Sequence, residues 1–272
     1  MKTITVQDHS VSKEYFELHY NSEFDMLETF PLPAPSQLSK YYETEDYISH
    51  TDTRRNLFER VYHLVRNYAI KNKITLINSL TNKGNFLDIG CGTGDVLKAA
   101  QDNGWKITGI EPNENARTIA NSKTNNSVFD ISELNKLPDH SFDVITLWHV
   151  LEHLPNLEEH VILFKKLLKP NGKLIIAVPN HKSFDAVYYR EFWAAYDVPR
   201  HLWHFSQNSI KLLFSKYNIG VIKTLPMKFD SFYVSLLSES YKTGHKNFIK
   251  AFYIGLRSNL KAKQTSEYSS LI

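Results

Sequence analysis

The stretch FLDIGCGTGDVL, residues 86–97, contains three glycines, which have no side chain, close to a carboxylate. Gly90, Gly92 and Gly94 follow an apolar run and precede a segment with helical periodicity, and Asp88 lies two residues ahead of the first glycine. Glycine tolerates positive φ and close approach of the backbone to a ligand. A strand that ends in such a turn and leads into a helix presents N–H groups to that ligand. The stretch therefore predicts a ligand-binding loop.

The spacing of this loop does not fit a dinucleotide. A dinucleotide fingerprint reads G-x-G-x-x-G and places a pyrophosphate on the helix N-terminus. Here the third glycine comes one residue early, and Asp95 stands where the fingerprint has glycine or alanine. Asp88 adds a second negative charge. We therefore expect a ligand with a cationic part near the loop, such as an ammonium group.

Two further acids indicate the rest of the ligand. Glu111, in GIEPN, follows Gly94 by 17 residues at the end of the next predicted strand, where a carboxylate accepts both hydroxyls of a ribose. Asp130 follows a short strand and could accept from an adenine amino group, with Ile131 covering the ring. Asp130 could instead be a simple helix cap. An adenosine that carries an amino-acid tail is S-adenosylmethionine (SAM).

The elements that position these residues alternate between strands and helices. Near-continuous apolar strands that alternate with helices predict a parallel sheet with helices on both faces. Beyond residue 205 the pattern predicts a serine-capped helix, a strand, an amphipathic helical segment and a last strand. The predicted strands are 85–89, 105–111, 127–129, 142–149, 173–179, 221–225 and 268–272. The predicted helices include 53–80, as one long helix or two short ones, 95–103, 114–121, 207–217 and 227–263.

Four motifs occur in order: LDIGCGTG, GIEPN, FDVITLWHVLEHL and LKPNGKLIIAVPN. Together, over residues 85–225, they resemble the class I SAM-dependent methyltransferases, in the branch that includes ubiquinone-pathway O-methyltransferases. The resemblance implies SAM as cofactor, S-adenosylhomocysteine (SAH) as product and a Rossmann-like α/β fold. That fold has a seven-stranded, mostly parallel sheet with an antiparallel last strand. We expect an N-terminal extension and helical lid over 1–80, and a SAM-binding domain over 81–272 with a helical insertion at about 227–263.

The resemblance also implies roles for individual residues. The glycine loop would hold the methionine part of SAM, the acid after the second strand its ribose, and the tip of the fourth strand would border the methyl group. Cys91 is expected to be a small loop residue rather than a nucleophile. The cofactor-binding residues expected are Asp88, Gly90, Cys91, Gly92, Gly94, Glu111, Pro112, Asp130, Ile131 and Trp148.

The stretch EFWAAYDVPRHLWHFS, residues 191–206, is dense in aromatic rings, Arg and His. A connection of this length is usually functional, and D-x-P-R-H resembles a motif of this branch, but its rings could also simply cap the sheet. Arg200 could hold a carboxylate or phosphate of a methyl acceptor, and His201 or His149 could act as a base. The acceptor-binding residues expected are Tyr42, Tyr47, His50, Trp193, Tyr196, Arg200 and His204.

Histidines alone do not predict a metal site here. His149 and His153 are four residues apart, and His201 and His204 come from a second segment, with no acid at a ligand spacing. We expect no metal, and we expect Glu152 and His153 to bridge a helix and a loop rather than move protons.

Composition limits the function classes. The chain has 272 residues, a net charge of +3 and no block of Lys and Arg, so nucleic acid is not an expected partner. One cysteine excludes an intramolecular disulfide framework and a cysteine zinc cage. No long apolar run is present, so we expect no integral membrane segment and a cytoplasmic protein.

Two hypotheses remain from the sequence, and neither settles the oligomeric state. The protein methylates a small molecule, with a hydroxyl oxygen as the expected acceptor, or it binds SAM without catalysis as a structural or partner subunit. A protein or a lipid-linked glycan is a third possible acceptor.

Overall fold

The structure is a computed structural model that describes residues 3–34, 37, 40–42 and 57–272, with side chains described outside 57–63. The chain divides into two compact units. The glycine-loop unit comprises residues 51–150 and 158–176, and the terminal unit comprises residues 1–50, 151–157 and 177–272.

The described elements, in chain order, are as follows. The strands are β1 (Ile4–Gln7), β2 (Tyr15–Asn21), β3 (Met26–Phe30), β4 (Asn85–Ile89), β5 (Lys106–Ile110), β6 (Val128–Phe129), β7 (Phe142–Trp148), β8 (Leu168–Pro179), β9 (Trp203–His204) and β10 (Ser270–Leu271). The helices are α1 (Leu57–Leu80), α2 (Asp95–Asp102), α3 (Glu114–Thr124), α4 (Leu157–Leu167), α5 (Phe184–Tyr189), α6 (Gln207–Lys216), α7 (Asp230–Thr243) and α8 (Phe248–Thr265). Four short 3-10 helices cover Ile131–Lys136, Leu151–His153, Arg190–Phe192 and Ala194–Tyr196.

The larger sheet has the strand order β10-β8-β7-β4-β5-β6. Strand β4 pairs in parallel with β5 and β7, and β5 pairs in parallel with β6. Phe86, Leu87, Val144 and Ile145 are fully buried, because strands covered on both faces have no polar side. The parallel α/β core predicted from the alternating elements is confirmed.

The last strand is antiparallel, as predicted. Strand β10 pairs with the end of β8, with Ser270 opposite Pro179 and Leu271 opposite Val178.

The predicted count of seven strands is not confirmed: within the part of the chain that the structure describes, the sheet has six. The segment expected as a strand at 221–225 makes two hydrogen bonds, both between Leu225 and Ile272, and the next residue, Pro226, forms an isolated bridge with Leu271. Two physical features keep it from forming a strand. Val221 and Ile222 are exposed, so burial does not hold the segment against the sheet, and proline has no N–H to continue a ladder.

Residues 4–30 form strands, so the helical extension predicted over 1–80 is wrong for this part. Strands β1, β2, β3 and β9 form an antiparallel sheet in that order. In β2 the side chains of Phe16 and Leu18 are buried while Tyr15 and Glu17 are exposed, which is the period-two pattern of a half-buried strand. Helix α1 accounts for most of the helix predicted at 53–80. The domain boundary at residue 80 stays a prediction.

The range predicted as a helical insertion, 227–263, contains α7 and most of α8. Among the described residues, none of the helices is both long and apolar enough to cross a membrane.

Candidate functional site

The glycine loop begins where β4 ends. The N–H groups of Gly90 and Cys91 both donate to the carbonyl oxygen of Ile110 in the neighbouring strand, at 2.7 and 3.1 Å. Gly90, Gly92 and Gly94 have φ values of 68°, 55° and 77°, in the left-handed region that favours glycine. The sequence therefore needs glycine at these three positions for backbone reasons.

The three glycines differ in what surrounds them. A Cβ atom on Gly90 would lie 2.4 Å from Val150, and one on Gly94 would lie 2.8 Å from Ala120. On Gly92 it would have no described atom within 4 Å. Gly90 and Gly94 are thus required by packing, while Gly92 exposes its backbone to open space beside the loop.

Glu111 holds the loop from the next strand. Its Oε2 accepts a 2.8 Å hydrogen bond from the N–H of Gly92, and its Oε1 accepts one of 2.9 Å from Asn113. The carboxyl is 4% exposed, and burial raises its pKa, against the effect of these two bonds. Each carboxylate oxygen keeps a second lone pair, so the group can accept two more hydrogen bonds.

Asp88 lies below the loop and is almost fully buried. Burial raises its pKa to about 7, although the Thr146 hydroxyl donates to Oδ1 at 2.5 Å and the charge of Lys73 favours the ionised form. The charge of Glu111 adds to the rise. A cationic ligand would shift this carboxyl toward its ionised form.

The tip of β7 carries Trp148 and His149, both partly buried. The ammonium of Lys73, from α1, lies 4.2 Å from the centre of the Trp148 ring, which is cation–π geometry. Among the described residues, no hydrogen-bond partner reaches the indole Nε1. His149 has φ 57°, an uncommon conformation outside glycine that clusters at functional sites.

Strand β6 is followed by a polar residue, Asp130, that lies between two apolar ones. Asp130 caps the 3-10 helix that follows, because its side chain accepts from Ser132 N–H, and Arg117 lies 3.2 Å from its other oxygen. These bonds lower the pKa of Asp130. The side chains of Phe129 and Ile131 on either side are exposed, as is the neighbouring Pro112. Asp130 is a cap, and the apolar surface beside it can still cover a flat ring.

Asp95, which the sequence argument treats as a bare negative charge, is paired. Arg66 from α1 and Lys123 from α3 both contact its carboxylate, and Arg66 also lies 3.4 Å from the hydroxyl of Thr93. The negative potential at the loop therefore comes from Asp88 and Glu111 more than from Asp95.

The Cys91 thiol is protonated at neutral pH. Burial and the charges of Asp88 and Glu111 all raise its pKa far above the ordinary value. A thiol without thiolate character is a poor nucleophile. Its predicted place as a loop residue is consistent with this chemistry.

Comparisons with known proteins agree with this geometry. A family model described as "Methyltransferase domain" matches residues 59–224, which is more than half of the chain. The chain belongs to the class I SAM-dependent methyltransferases. Its cofactor is S-adenosylmethionine.

Individual relatives are more distant. The chain is 34% identical over 105 residues to a sterol 4-C-methyltransferase of Caenorhabditis elegans, covering 36% of this chain and 31% of that protein. It is 28% identical over 151 residues to a ubiquinone biosynthesis O-methyltransferase of Rickettsia akari, covering 53% and 59%. The chain thus spans about a third to three fifths of the length of these relatives.

A solved structure with a similar fold is the magnesium protoporphyrin IX methyltransferase of Synechocystis, determined with bound SAH. The TM-score is 0.53 at 16% identity, over 71% of this chain and 92% of that one. At this identity the likeness concerns the fold.

In this methyltransferase, the structure gives Arg200 a structural role instead of the acceptor contact predicted from the sequence. Its guanidinium is buried and donates to both carboxylate oxygens of Asp197, to Asp8 and to the carbonyl oxygen of Tyr41. These neighbours raise the pKa of Arg200 against the effect of burial. The planar fork that would hold an acidic acceptor is occupied by Asp197.

Three more predicted acceptor residues lie in the core of the terminal unit. Trp193 is 2% exposed and donates from Nε1 to Asp185, and Tyr196 packs edge-on against it. His204 donates from Nε2 to the hydroxyl of Thr29, since that hydroxyl itself donates to a backbone carbonyl. The contacts favour the interpretation that these rings pack in the core of the fold.

The remaining predicted acceptor residues are N-terminal. Tyr42 is half-buried, and its hydroxyl lies 3.2 Å from Nδ1 of His153. Tyr47 and His50 lie outside the described residues.

His201 and His153 meet edge to face, with ring centres 4.6 Å apart. His201 donates from Nδ1 to the carbonyl oxygen of Ala195, and His153 from Nδ1 to that of Arg200, both at 2.9 Å. The Nε2 atom of each ring is therefore the acceptor nitrogen. Burial and the neighbouring His201 lower the pKa of His153 to about 4, so it is neutral at pH 7.

The same two rings lie near the buried Glu152. One potential ligand atom from each of Glu152, His153 and His201 lies within 4.8 Å of the others, so among the described residues this group could hold a metal ion. The expectation of no metal rests on finding no acid at a ligand spacing from the histidines. In the structure Glu152 lies close to both histidine rings, so this reason does not apply. The expectation itself stays a prediction.

Sequence reasoning missed three contributors to the cofactor loop: Lys73, Arg66 and Thr146. Lys73 lies on α1 directly before the buried Ile74 and four residues before the buried Ile77, on the inward side of the helix. A lysine at an inward position is the signal that could have identified it.

Proposed function

We propose that this methyltransferase moves the methyl group of SAM to a hydroxyl oxygen of a small molecule. The observation that carries the cofactor part of the proposal is the geometry of Glu111 and Gly92. The carboxylate has two accepting positions left, and the open backbone of Gly92 lies directly beside it. This arrangement suits a ribose diol and a cofactor tail that continues toward the loop.

The other loop residues complete the cofactor site in this proposal. Asp88 attracts the ammonium of the methionine part, and the exposed Phe129 and Ile131 cover the adenine ring. Asp130 and Pro112 border that ring. Trp148 borders the methyl group in this proposal, because an aromatic ring face attracts a sulfonium cation. One face of the ring already contacts the Lys73 ammonium.

Methyl transfer is an in-line displacement at the carbon bonded to sulfur. The oxygen–carbon bond forms as the carbon–sulfur bond breaks, SAH leaves, and the hydroxyl proton passes to a base. The protein mainly positions the two reactants and excludes water. His149, beside Trp148, and the acceptor nitrogen of His201 are the proposed bases, which typically add about 10²–10⁴ in rate.

Two relatives support a small-molecule acceptor by their names, one acting on sterols and one in ubiquinone biosynthesis. The protein and lipid-linked glycan acceptors remain alternatives.

The second candidate is SAM binding without catalysis. The internal contacts of Arg200, Trp193 and His204 favour it, because residues predicted to hold an acceptor are engaged in the fold.

Cofactor binding is tested first, by calorimetric titration of SAH. Glu111→Ala should lower the affinity for SAH by about 10- to 100-fold, because the ribose hydroxyls lose a hydrogen bond to a charged acceptor, which is worth roughly 1.5–3 kcal/mol. Glu114→Ala is the matched control, an exposed acid three residues away that should leave the affinity unchanged. NAD should not bind. Equal SAH affinity in both variants contradicts the cofactor site.

Catalysis is tested with labelled SAM and a panel of phenols, sugars and sterols. If His149 or His201 is the base, its alanine variant should lower turnover about 100-fold or more at unchanged SAH affinity. Full SAH binding with no methyl transfer to any acceptor class supports the non-catalytic candidate instead.

A further inference from the structure

Helix α8 buries its small residues and exposes its large ones. The buried side contains Ala251, Gly255, Ser258 and Ala262, with Ile254 as the one large residue. The solvent side carries six large apolar or aromatic side chains, which are 42–85% exposed: Phe248, Ile249, Phe252, Tyr253, Leu256 and Leu260. Folding of the terminal unit therefore leaves the more apolar side of this helix in water.

The spacing places these exposed side chains on one side of the helix. Ile249, Phe252, Leu256 and Leu260 follow one another at intervals of three or four residues, which is the period of one helical face. Contiguous exposed apolar surface of this kind marks an interaction site. We call these six side chains the α8 patch.

The small residues hold the helix close to α7. A Cβ atom on Gly255 would lie 2.8 Å from Phe232, and the Ser231 hydroxyl donates to the Gly255 carbonyl oxygen at 3.1 Å. Phe252 stacks on Phe232 at a ring distance of 5.2 Å. Close contact on this side keeps the α8 patch turned outward.

The charged residues of α8 and of the segment before it have one sign. Residues 240–266 contain no Asp or Glu, and they contain six Lys or Arg side chains at 242, 246, 250, 257, 261 and 263. Five of these are exposed. Lys250 is the exception, because it is half-buried and contacts Glu239 at 3.3 Å. A basic rim around an apolar, aromatic face is complementary to an anionic lipid surface.

We propose that the α8 patch docks the protein on an anionic phospholipid bilayer, with the helix lying in the interface plane. Apolar and aromatic side chains enter the headgroup boundary, and each Lys or Arg near the surface adds attraction to anionic lipids. A second copy of the chain is a poorer occupant, because two such faces would bring two basic rims together. This docking is independent of the identity of the methyl acceptor.

The test is flotation of the full chain with two kinds of vesicle, phosphatidylcholine alone and phosphatidylcholine mixed with phosphatidylglycerol. Binding should require phosphatidylglycerol and weaken with salt. Ile249→Ser with Leu260→Ser should reduce partitioning roughly tenfold or more per residue. Lys261→Glu with Lys263→Glu should reduce it by at least about fivefold per residue.

Matched controls separate docking from general effects. Ile222→Ser with Ile119→Ser removes two exposed isoleucines elsewhere, and Lys83→Glu with Lys106→Glu makes the same change of charge elsewhere. Neither control should change flotation. All variants are checked for folding by circular dichroism and for SAH affinity.

Three results overturn the proposal. One is no flotation with phosphatidylglycerol at low salt. Another is an equal loss in the controls, which would indicate non-specific attraction. The third is a dimer in light scattering without lipid that Ile249→Ser with Leu260→Ser dissociates, because the patch would then bind a second copy. Loss of SAH binding in wild-type protein would instead contradict the proposed function, so the two failures are distinguishable.

Discussion

Two sets of buried polar groups, one in each unit, are used in different ways. In the terminal unit, both oxygens of buried Asp185 are used: Trp193 and Ser269 donate to one at 2.8 and 2.7 Å, and Ser258 donates to the other at 2.6 Å. Arg200 is enclosed by two carboxylates and a carbonyl in the same way. Such networks stabilise one arrangement of the chain and leave little capacity for a ligand.

In the glycine-loop unit, buried polar groups keep capacity. Asp88 has a pKa near 7 because burial opposes its ionisation, and Glu111 has accepting positions left. Gly90, Gly92 and Gly94 have left-handed backbone conformations, and His149 has one although it is not glycine. The two sets therefore differ in the hydrogen-bonding capacity that they leave for a ligand, and four predictions test this difference.

The largest effect is expected from Arg200→Ala. Removing the guanidinium leaves Asp8 and Asp197 without their main cation inside the protein, which costs about 3–5 kcal/mol of unfolding free energy. Urea denaturation measures this loss, while SAH affinity should stay unchanged. Lys216→Ala, which breaks an exposed pair with Glu23, is the control and should cost less than about 1 kcal/mol. A variant that keeps its stability but raises the acceptor's KM would restore the role predicted from the sequence.

The next effect concerns Gly92→Ala, with Gly244→Ala as its match. Both glycines have positive φ, and neither has a described atom within 4 Å of an added Cβ, so both variants should lose about 1 kcal/mol of stability. Only Gly92→Ala should lose SAH affinity, by about tenfold or more, because the methyl group would fill the space beside Glu111. Similar SAH affinities in the two variants would mean that the cofactor does not approach Gly92.

An effect with a defined pH dependence is expected from Asp88→Asn. The folded protein holds a proton on Asp88 up to about pH 7, and the unfolded chain only to about pH 3.8. Between these values the folded state binds more protons, so the contribution of Asp88 to stability falls as pH rises. Asp88→Asn removes this penalty, and the melting temperature should rise at pH 8 but not at pH 4, while SAH binding weakens.

Asp143→Asn is the control for that experiment. Its partners Lys169 and the N–H of Asn85 lower the pKa of Asp143 against the effect of partial burial. Its folded-state pKa is therefore depressed, and the stability it contributes is present at neutral pH and lost as pH falls. Asp143→Asn should lower the melting temperature at pH 8. A fall in both variants at pH 8 would contradict the buried, weakly ionised state of Asp88.

The smallest effect is expected from metal removal. Dialysis against EDTA should leave SAH affinity and methyl transfer unchanged, because the sequence predicts no metal. Elemental analysis of the purified protein is the direct check, since Glu152, His153 and His201 lie close enough to bind an ion. One equivalent of zinc that Glu152→Gln removes would show that the prediction is wrong.

Part of the site was predictable because its residues are neighbours in sequence or sit at strand ends. Glu111 could be placed beside the loop since parallel strands bring their carboxyl ends to one edge. Arg66 and Lys73 could not be placed there, because α1 precedes the motif region. Only packing decides which side chains of α1 reach the glycine loop. The ion pairs of Arg200 were only partly predictable, because Asp197 is three residues away but Asp8 is 192 residues away in the chain.

The sequence by itself determined the parallel α/β core, the glycine loop and the cofactor, because each depends on short-range spacing and on the period of apolar residues. Only the tertiary structure decided which polar residues pair with one another inside the protein. The same applies to residues 4–30, which form strands through long-range pairing, and to residues 221–225, which do not form the predicted strand. Backbone pairing and charge pairing across long sequence distances depend on packing that no local pattern contains.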